Sequence, residues 1–201
     1  MLMRSPKLMR LEMRTSLKTV HGFTPPLRGK LPSRACSVGV VPGAAKTAKK
    51  LDPRTVAGPE VGNLMPPYTA QWLDGKPFDL AAERDHVVFL NLWATWCGPC
   101  RAEMPYLQSL QDQYGARGLK VIGVSLDEGG VAGVTAFLTA QKIHYPSAID
   151  PDGHIANVMQ TTVLPTSVLI DRTGHIVWKD AGMLSGPEAS LTKALELALA
   201  K

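Results

Sequence analysis

Trp96-Cys97-Gly98-Pro99-Cys100 stands where an apolar strand gives way to a helix, and few folds tolerate a cysteine pair at such a junction. Val87–Leu92 (VVFLNL) has the length and composition of a buried strand, and a helix is predicted from Gly98 to about Tyr114, ended by Gly115. Cys97 then lies at the helix N-terminus, where unpaired N–H groups and the helix dipole favour a thiolate. Such placement lowers a thiol pKa from about 8.5 towards 7. Cys100, three residues on, shares nearly the same helical face and can close a disulfide with it. Pro99 suits the first turn, because the N–H it lacks has no intrahelical partner there. A zinc site would need a second ligand pair, and there is no other Cys-x-x-Cys and no clustered His. A c-type haem attachment would need His after Cys100, where Arg101 stands. A purely structural disulfide seldom occupies a strand-to-helix turn flanked by Trp and Pro. The pair reads as redox-active.

The rest of the chain supplies strands and helices in alternation. Leu73-Asp74-Gly75-Lys76 reads as a hairpin turn, with Asp-Gly providing positive φ. Leu119–Leu126 is a second buried strand, Gly130–Gln141 a second helix and Ala148–Ile149 a short third strand. Thr166–Ile170 and His175–Trp178 are two strands joined by Asp171-Arg172-Thr173-Gly174. Pro187–Ala200 closes the chain as a helix, with Ser185 as its cap and Leu191, Leu195 and Leu199 on one face. The pattern is α/β, a central mixed sheet flanked by helices.

The first 55 residues behave differently. They carry twelve Lys or Arg against two acids, so the net charge of +5 conceals a mildly acidic remainder. That distribution leaves no basic stripe on the folded part, and aromatics at 6% offer no stacking platform, so nucleic acid is not an expected partner. Residues 1–55 are expected to be a basic extension and residues 56–201 the domain. The extension has parts of an export signal: a basic stretch, the apolar run at 35–45 and small residues at Gly43, Ala44 and Ala45. It reads equally as a disordered extension without targeting, and its Arg-rich, acid-poor character also fits an organelle presequence. No run approaches the ~20 apolar residues of a membrane span. Cys36 is a bystander, and Met1, Met3, Met9 and Met13 read as ordinary leader residues rather than a metal-binding tail.

Asn91–Cys100 (NLWATWCGPC), continued by Arg101-Ala102-Glu103-Met104-Pro105, resembles the thioredoxin superfamily, and within it the TlpA/ResA-type proteins with their W-C-x-P-C-x-x-E-x-P signature. The resemblance extends over about Pro59–Ala200. It includes Gly75-Lys76 in an N-terminal β-hairpin, Val121–Asp127, the Leu164-Pro165-Thr166 loop and Leu169–Gly174. It implies a thioredoxin fold with a helix-containing central insertion between about Asp127 and Gln160. It also implies a cis peptide at Leu164–Pro165 beside the cysteines, exposing the Leu164 backbone to a substrate strand and keeping metals off the thiols.

Supporting roles follow. Pro105 falls inside the first helix and is expected to kink it. Trp93 reads as core, whereas Trp96, Gly98 and Pro99, with Leu164 and Pro165, are expected to form the substrate-contact surface. Thioredoxin has an Asp two residues before the first Trp of its W-x-x-W-C stretch; here Asn91 stands there and cannot titrate. The proton-handling role, if kept, then sits elsewhere: Glu103, one helical step beyond Cys100 and matching the family's Glu, reads as a buried acid exchanging protons with the thiols, the other reading being a solvated helical carboxylate. The five histidines (21, 86, 144, 154, 175) show no ligand spacing, and no metal or cofactor beyond the Cys97–Cys100 pair is expected.

The expected activity is thiol–disulfide exchange, with protein disulfides as substrates and an upstream thiol donor. The resemblance implies a reductant in the periplasm or another extracytoplasmic compartment, serving cytochrome c maturation or a copper-delivery protein; a cytoplasmic location is the alternative. A monomer is expected. Two rival activities remain: a peroxiredoxin-like peroxidase, although its P-x-x-x-T-x-x-C pattern is missing before Cys97, and a copper-binding module using the same thiols.

Overall fold

The computed structural model describes residues 58–201. The expected extension of residues 1–55, its boundary, Cys36 and the leader methionines lie outside the described residues. Strands β1 (Thr69–Trp72), β2 (Pro77–Asp79), β3 (Val87–Trp93), β4 (Leu119–Ser125), β5 (Ser147–Ile149), β6 (Thr166–Ile170) and β7 (Ile176–Ala181) form one mixed sheet in the order β2-β1-β5-β4-β3-β6-β7. The helices are α1 (Gly98–Tyr114), α2 (Val131–Gln141), α3 (His154–Val158) and α4 (Ala189–Leu199). This is the thioredoxin arrangement that the resemblance implied, with its N-terminal hairpin and with α2, β5 and α3 in the central insertion.

The central strand explains the sheet. All seven residues of β3 are buried, since β4 runs parallel on one side, β6 antiparallel on the other, and both faces are covered. Val87, Phe89 and Trp93 face a core shared with Met104 and Leu107 of α1, Val134 and Leu138 of α2, and Leu191 and Leu195 of α4. Val88, Leu90 and Leu92 face the other core, with Phe78, Ile155 and Met159. The run thus lacks polar alternation because neither face meets water.

Several boundaries differ from the sequence reading. The last helix starts at Ala189, two residues later than expected; Glu188 stands at its cap without a side-chain bond, and Ser185 is not a cap. In the hairpin only Gly75 takes positive φ (87°), while the Asp74 carboxylate accepts from the Lys76 N–H instead. Strand β7 runs on to Ala181 because it pairs along the whole of β6. Helix α1 continues through Pro105 as one assigned helix. The five-residue α3 was not separately legible: the Asp150 carboxylate starts it by accepting from the His154 and Ile155 N–H groups, four and five residues on.

Gly123 of β4 illustrates how tightly the helix-covered face is filled. A Cβ there would stand 2.8 Å from Trp93 Nε1 and 2.9 Å from Ser147 Oγ. Gly123→Ala should therefore lower stability by about 1–3 kcal/mol, the usual cost of overpacking. Urea unfolding followed by Trp fluorescence checks this, and an unchanged midpoint would show that the neighbours yield freely.

Candidate functional site

Cys97 and Cys100 form a disulfide across the start of α1, with Cα atoms 5.3 Å apart. Cys97 is the helix cap, and its Sγ accepts from the Cys100 N–H at 3.2 Å. The Cys97 sulfur thus faces a backbone donor of the first helical turn. The two sulfurs are not equivalent. Cys97 is 6% exposed and Cys100 fully buried, while Gly98 and Pro99 between them are exposed. Of the two cysteines only Cys97 keeps any accessible surface.

The turn entering Cys97 is pinned from β4. Asp127 accepts from the Thr95 N–H at 2.9 Å and from Thr95 Oγ1 at 2.5 Å, and Ser125 Oγ donates to the same carboxylate at 2.7 Å. Next along, Trp96 is 70% exposed, whereas Trp93 is fully buried. Trp93 lies in the core, as expected from the sequence.

Leu92 of β3 lies opposite Thr166 of β6, so the segment after β3 and the Leu164–Pro165 step before β6 occupy one edge of the sheet. That peptide is cis, and Leu164 packs against both cores. The Pro165 carbonyl accepts from the Gly182 N–H at 2.9 Å, which draws the loop after β7 to the same edge. Val163 and Met183 expose apolar side chains there, so with Trp96 three loops contribute apolar surface at this end.

Glu103 is 1% exposed, inside the core one turn beyond Cys100. Asn91 Nδ2 donates to Oε1 at 2.7 Å and to Ser167 Oγ at 3.0 Å, while the Leu184 N–H donates to Oε2 at 2.9 Å. Burial pushes the Glu103 carboxyl up to about 7; these two hydrogen bonds oppose the rise, and the charge of Asp180 adds to it. A carboxyl poised near neutrality can take or give a proton under ordinary conditions.

All eight residues singled out in the sequence belong to this region: Cys97, Cys100 and Glu103 on or at α1, Trp96, Gly98 and Pro99 around the disulfide, and Leu164 and Pro165 on the facing loop. Sequence reasoning missed the Leu184 N–H, Asp127 as anchor of the turn and Ser167 beneath Asn91. A backbone donor has no side-chain signature, and the other two act over separations of 32 and 76 residues. Among the described residues no group of three or more His, Cys, Asp or Glu could hold a metal, and no helix is long and apolar enough to cross a membrane.

The Redoxin family model matches residues 60–195 of the chain. Thiol-disulfide oxidoreductase ResA of Bacillus thuringiensis subsp. konkukian (strain 97-27) is 37% identical over 123 residues, which is 61% of this chain and 70% of that protein. ResA of Bacillus subtilis (strain 168) is 29% identical over 116 residues, 58% of this chain and 64% of its own. In structure, the chain is similar to a putative thiol:disulfide interchange protein DsbE from Chlorobium tepidum. The TM-score is 0.64 at 30% identity, covering 70% of this chain and 98% of the other.

Proposed function

The chain belongs to the redoxin family, as a TlpA/ResA-type thiol–disulfide oxidoreductase of the thioredoxin superfamily, and on that footing we propose that it is a reductant of disulfides in partner proteins. The observation that carries this reading is the asymmetric pair, a slightly exposed Cys97 capping α1 and a buried Cys100 above a buried carboxyl. In the reduced protein the Cys97 thiolate attacks a partner disulfide; one partner sulfur leaves as a thiolate, and a mixed disulfide forms. Cys100 then gives its proton to Glu103, and the resulting thiolate attacks Cys97 Sγ. The second partner sulfur leaves and takes up a proton, so two electrons have passed to the partner and the Cys97–Cys100 disulfide remains. An upstream thiol donor restores the dithiol. The electrons reside in the cysteine pair, and the cycle runs without a further cofactor.

Trp96, Gly98, Pro99 and the Leu164–Pro165 loop form the surface on which an extended partner segment lies. The reading places the protein outside the cytoplasm, as a monomer in the service of cytochrome c maturation. The basic and then apolar character of residues 1–45 supports export; an intact N-terminus in the cytoplasmic fraction of the host would reject it.

Equilibration with glutathione buffers measures the potential of the pair, and insulin-disulfide reduction measures the activity. A reductant with Gly-Pro between its cysteines should equilibrate near the thioredoxin value of about −270 mV. A value close to about −120 mV, typical of a strong oxidant, would overturn the direction of electron flow.

A further inference from the structure

Asp127 is a buried carboxyl at the redox end of the sheet that the exchange itself does not use. It is 7% exposed and stands just after β4, on one flank of β3, whereas the Leu164–Pro165 loop precedes β6 on the other. Strands β3 and β4 run parallel with Trp93 opposite Ser125, and the Leu126 N–H donates to the Trp93 carbonyl at 2.9 Å. Continued by two residues, that register sets Thr95 against Asp127. The chain is already turning towards α1 there, and the Asp127 side chain takes the place of a strand carbonyl. Its Oδ2 accepts from the Thr95 N–H at 2.9 Å and its Oδ1 from Thr95 Oγ1 at 2.5 Å. Ser125 Oγ donates to Oδ2 at 2.7 Å and accepts from the Asp127 N–H at 3.2 Å, so the carboxylate is itself held in orientation. Hydrogen bonds to a carboxylate are about twice as strong as those between neutral groups.

From Thr95 the bonds continue to the reacting sulfur. The Cys97 N–H donates to the Ala94 carbonyl at 3.1 Å and closes the turn, while the Cys97 carbonyl accepts from the Arg101 N–H at 3.1 Å as the first bond of α1. Cys97 Sγ accepts from the Cys100 N–H at 3.2 Å. The Cys97 backbone is thus tied on both sides, and the place of the turn at Ala94, Thr95 and Trp96 decides whether its sulfur meets the donors of the first helical turn. A thiolate depends on those donors, because it is the charge that they stabilise; a thiol or a disulfide sulfur gains little from them. Displacing the turn therefore costs the thiolate and spares the other two forms.

We infer that Asp127 is a positioning residue of the exchange: through Thr95 it holds the turn at the place where Cys97 caps α1, and so keeps the Cys97 thiolate on the helix-start donors. Asp127 itself bonds to neither sulfur and acts through the backbone of the turn. The inference rests on Cys97 as the attacking thiolate. The charged and titratable groups at this end are Cys100, Arg101 and Glu103 of α1, Asp127 and Glu128 after β4, and Asp180 of β7. The substitutions that test it leave all of these but Asp127 in place.

The test follows iodoacetamide alkylation of the reduced full chain as a function of pH, read at Cys97 by peptide mass spectrometry, in wild type, Asp127→Asn, Asp127→Ala and Thr95→Val. The two Asp127 variants remove the same charge and differ in the anchor alone. The asparagine oxygen can accept from the Thr95 N–H while its amide donates to Thr95 Oγ1, whereas alanine leaves both without that partner. The Cys97 midpoint of Asp127→Ala should lie about 0.5–1 pH unit above that of Asp127→Asn, part of the fall of about 1.5 that a helix-start position gives a thiol. Thr95→Val keeps the charge and the N–H bond and should raise the midpoint by a smaller amount against wild type, which keeps the test open if Asp127→Ala folds poorly. Urea unfolding of the same proteins is the control, since a merely structural anchor lowers stability and leaves the alkylation profile in place. Coincident profiles for the two Asp127 variants, or for Thr95→Val and wild type where the alanine variant does not fold, would overturn the positioning role and leave Cys97 as nucleophile. A wild-type Cys97 that alkylates only around the free-thiol value of about 8.5 would overturn both.

Discussion

Cys97→Ser should abolish disulfide reduction outright, while Cys100→Ser should hold partner proteins in stable mixed disulfides. Both variants lose multiple turnover, but at different steps. Serine has no thiolate within reach of neutral pH, so without Cys97 no bond to the partner forms. Without Cys100 the first bond forms normally and the resolving sulfur is missing. The geometry sets this order: Cys97 caps α1, keeps a small accessible surface and accepts the Cys100 N–H, whereas Cys100 has no accessible surface. Non-reducing gels with mass spectrometry of the trapped species check the assignment. Adducts of equal abundance in both variants would mean that the Cys100 sulfur attacks a partner disulfide as readily as that of Cys97.

The redox pair was legible from sequence because its chemistry is local. The cap, the proline in the first turn and the resolving cysteine fall within four consecutive residues, and helix geometry alone sets their relation. Strand β3 was legible for a similar reason, as burial on both faces leaves a continuous apolar run. Asn91 could be read only as a residue unable to titrate. Its role as donor to both Glu103 and Ser167 depends on the register of β6 against β3, which no short-range pattern encodes. The start of α4 was misplaced because Ser185 and Pro187 are good helix-entry signals. The chain nevertheless spends Met183–Pro187 on the loop whose Leu184 N–H reaches Glu103. A local preference gave way there to a tertiary contact at the site.

Glu103→Gln should slow release of the mixed disulfide by about 10²–10⁴ fold, the usual loss for a removed acid–base group. The substitution keeps the volume and can keep the bonds. The new amide can accept from the Leu184 N–H through its oxygen, and Asn91 can turn its amide over to offer Oδ1, which has no other partner. Removing the charge also removes its repulsion on a nearby thiolate, so the alkylation profile of the reduced protein should move to lower pH. Stability gives an independent readout. The folded carboxyl titrates at about 7 against 4.5 for the unfolded group, so between these values the native state holds the extra proton. Wild-type stability should therefore fall as pH rises through that window, by about 3 kcal/mol in all, because the charged form is the one burial disfavours. In Glu103→Gln this slope should vanish, leaving the variant relatively more stable at pH 8 than at pH 4. Thermal melts across the window check the sign. A variant with the same slope and the same release rate as wild type would mean that Glu103 carries neither the proton nor the pH dependence, and that water reaches Cys100 by another route.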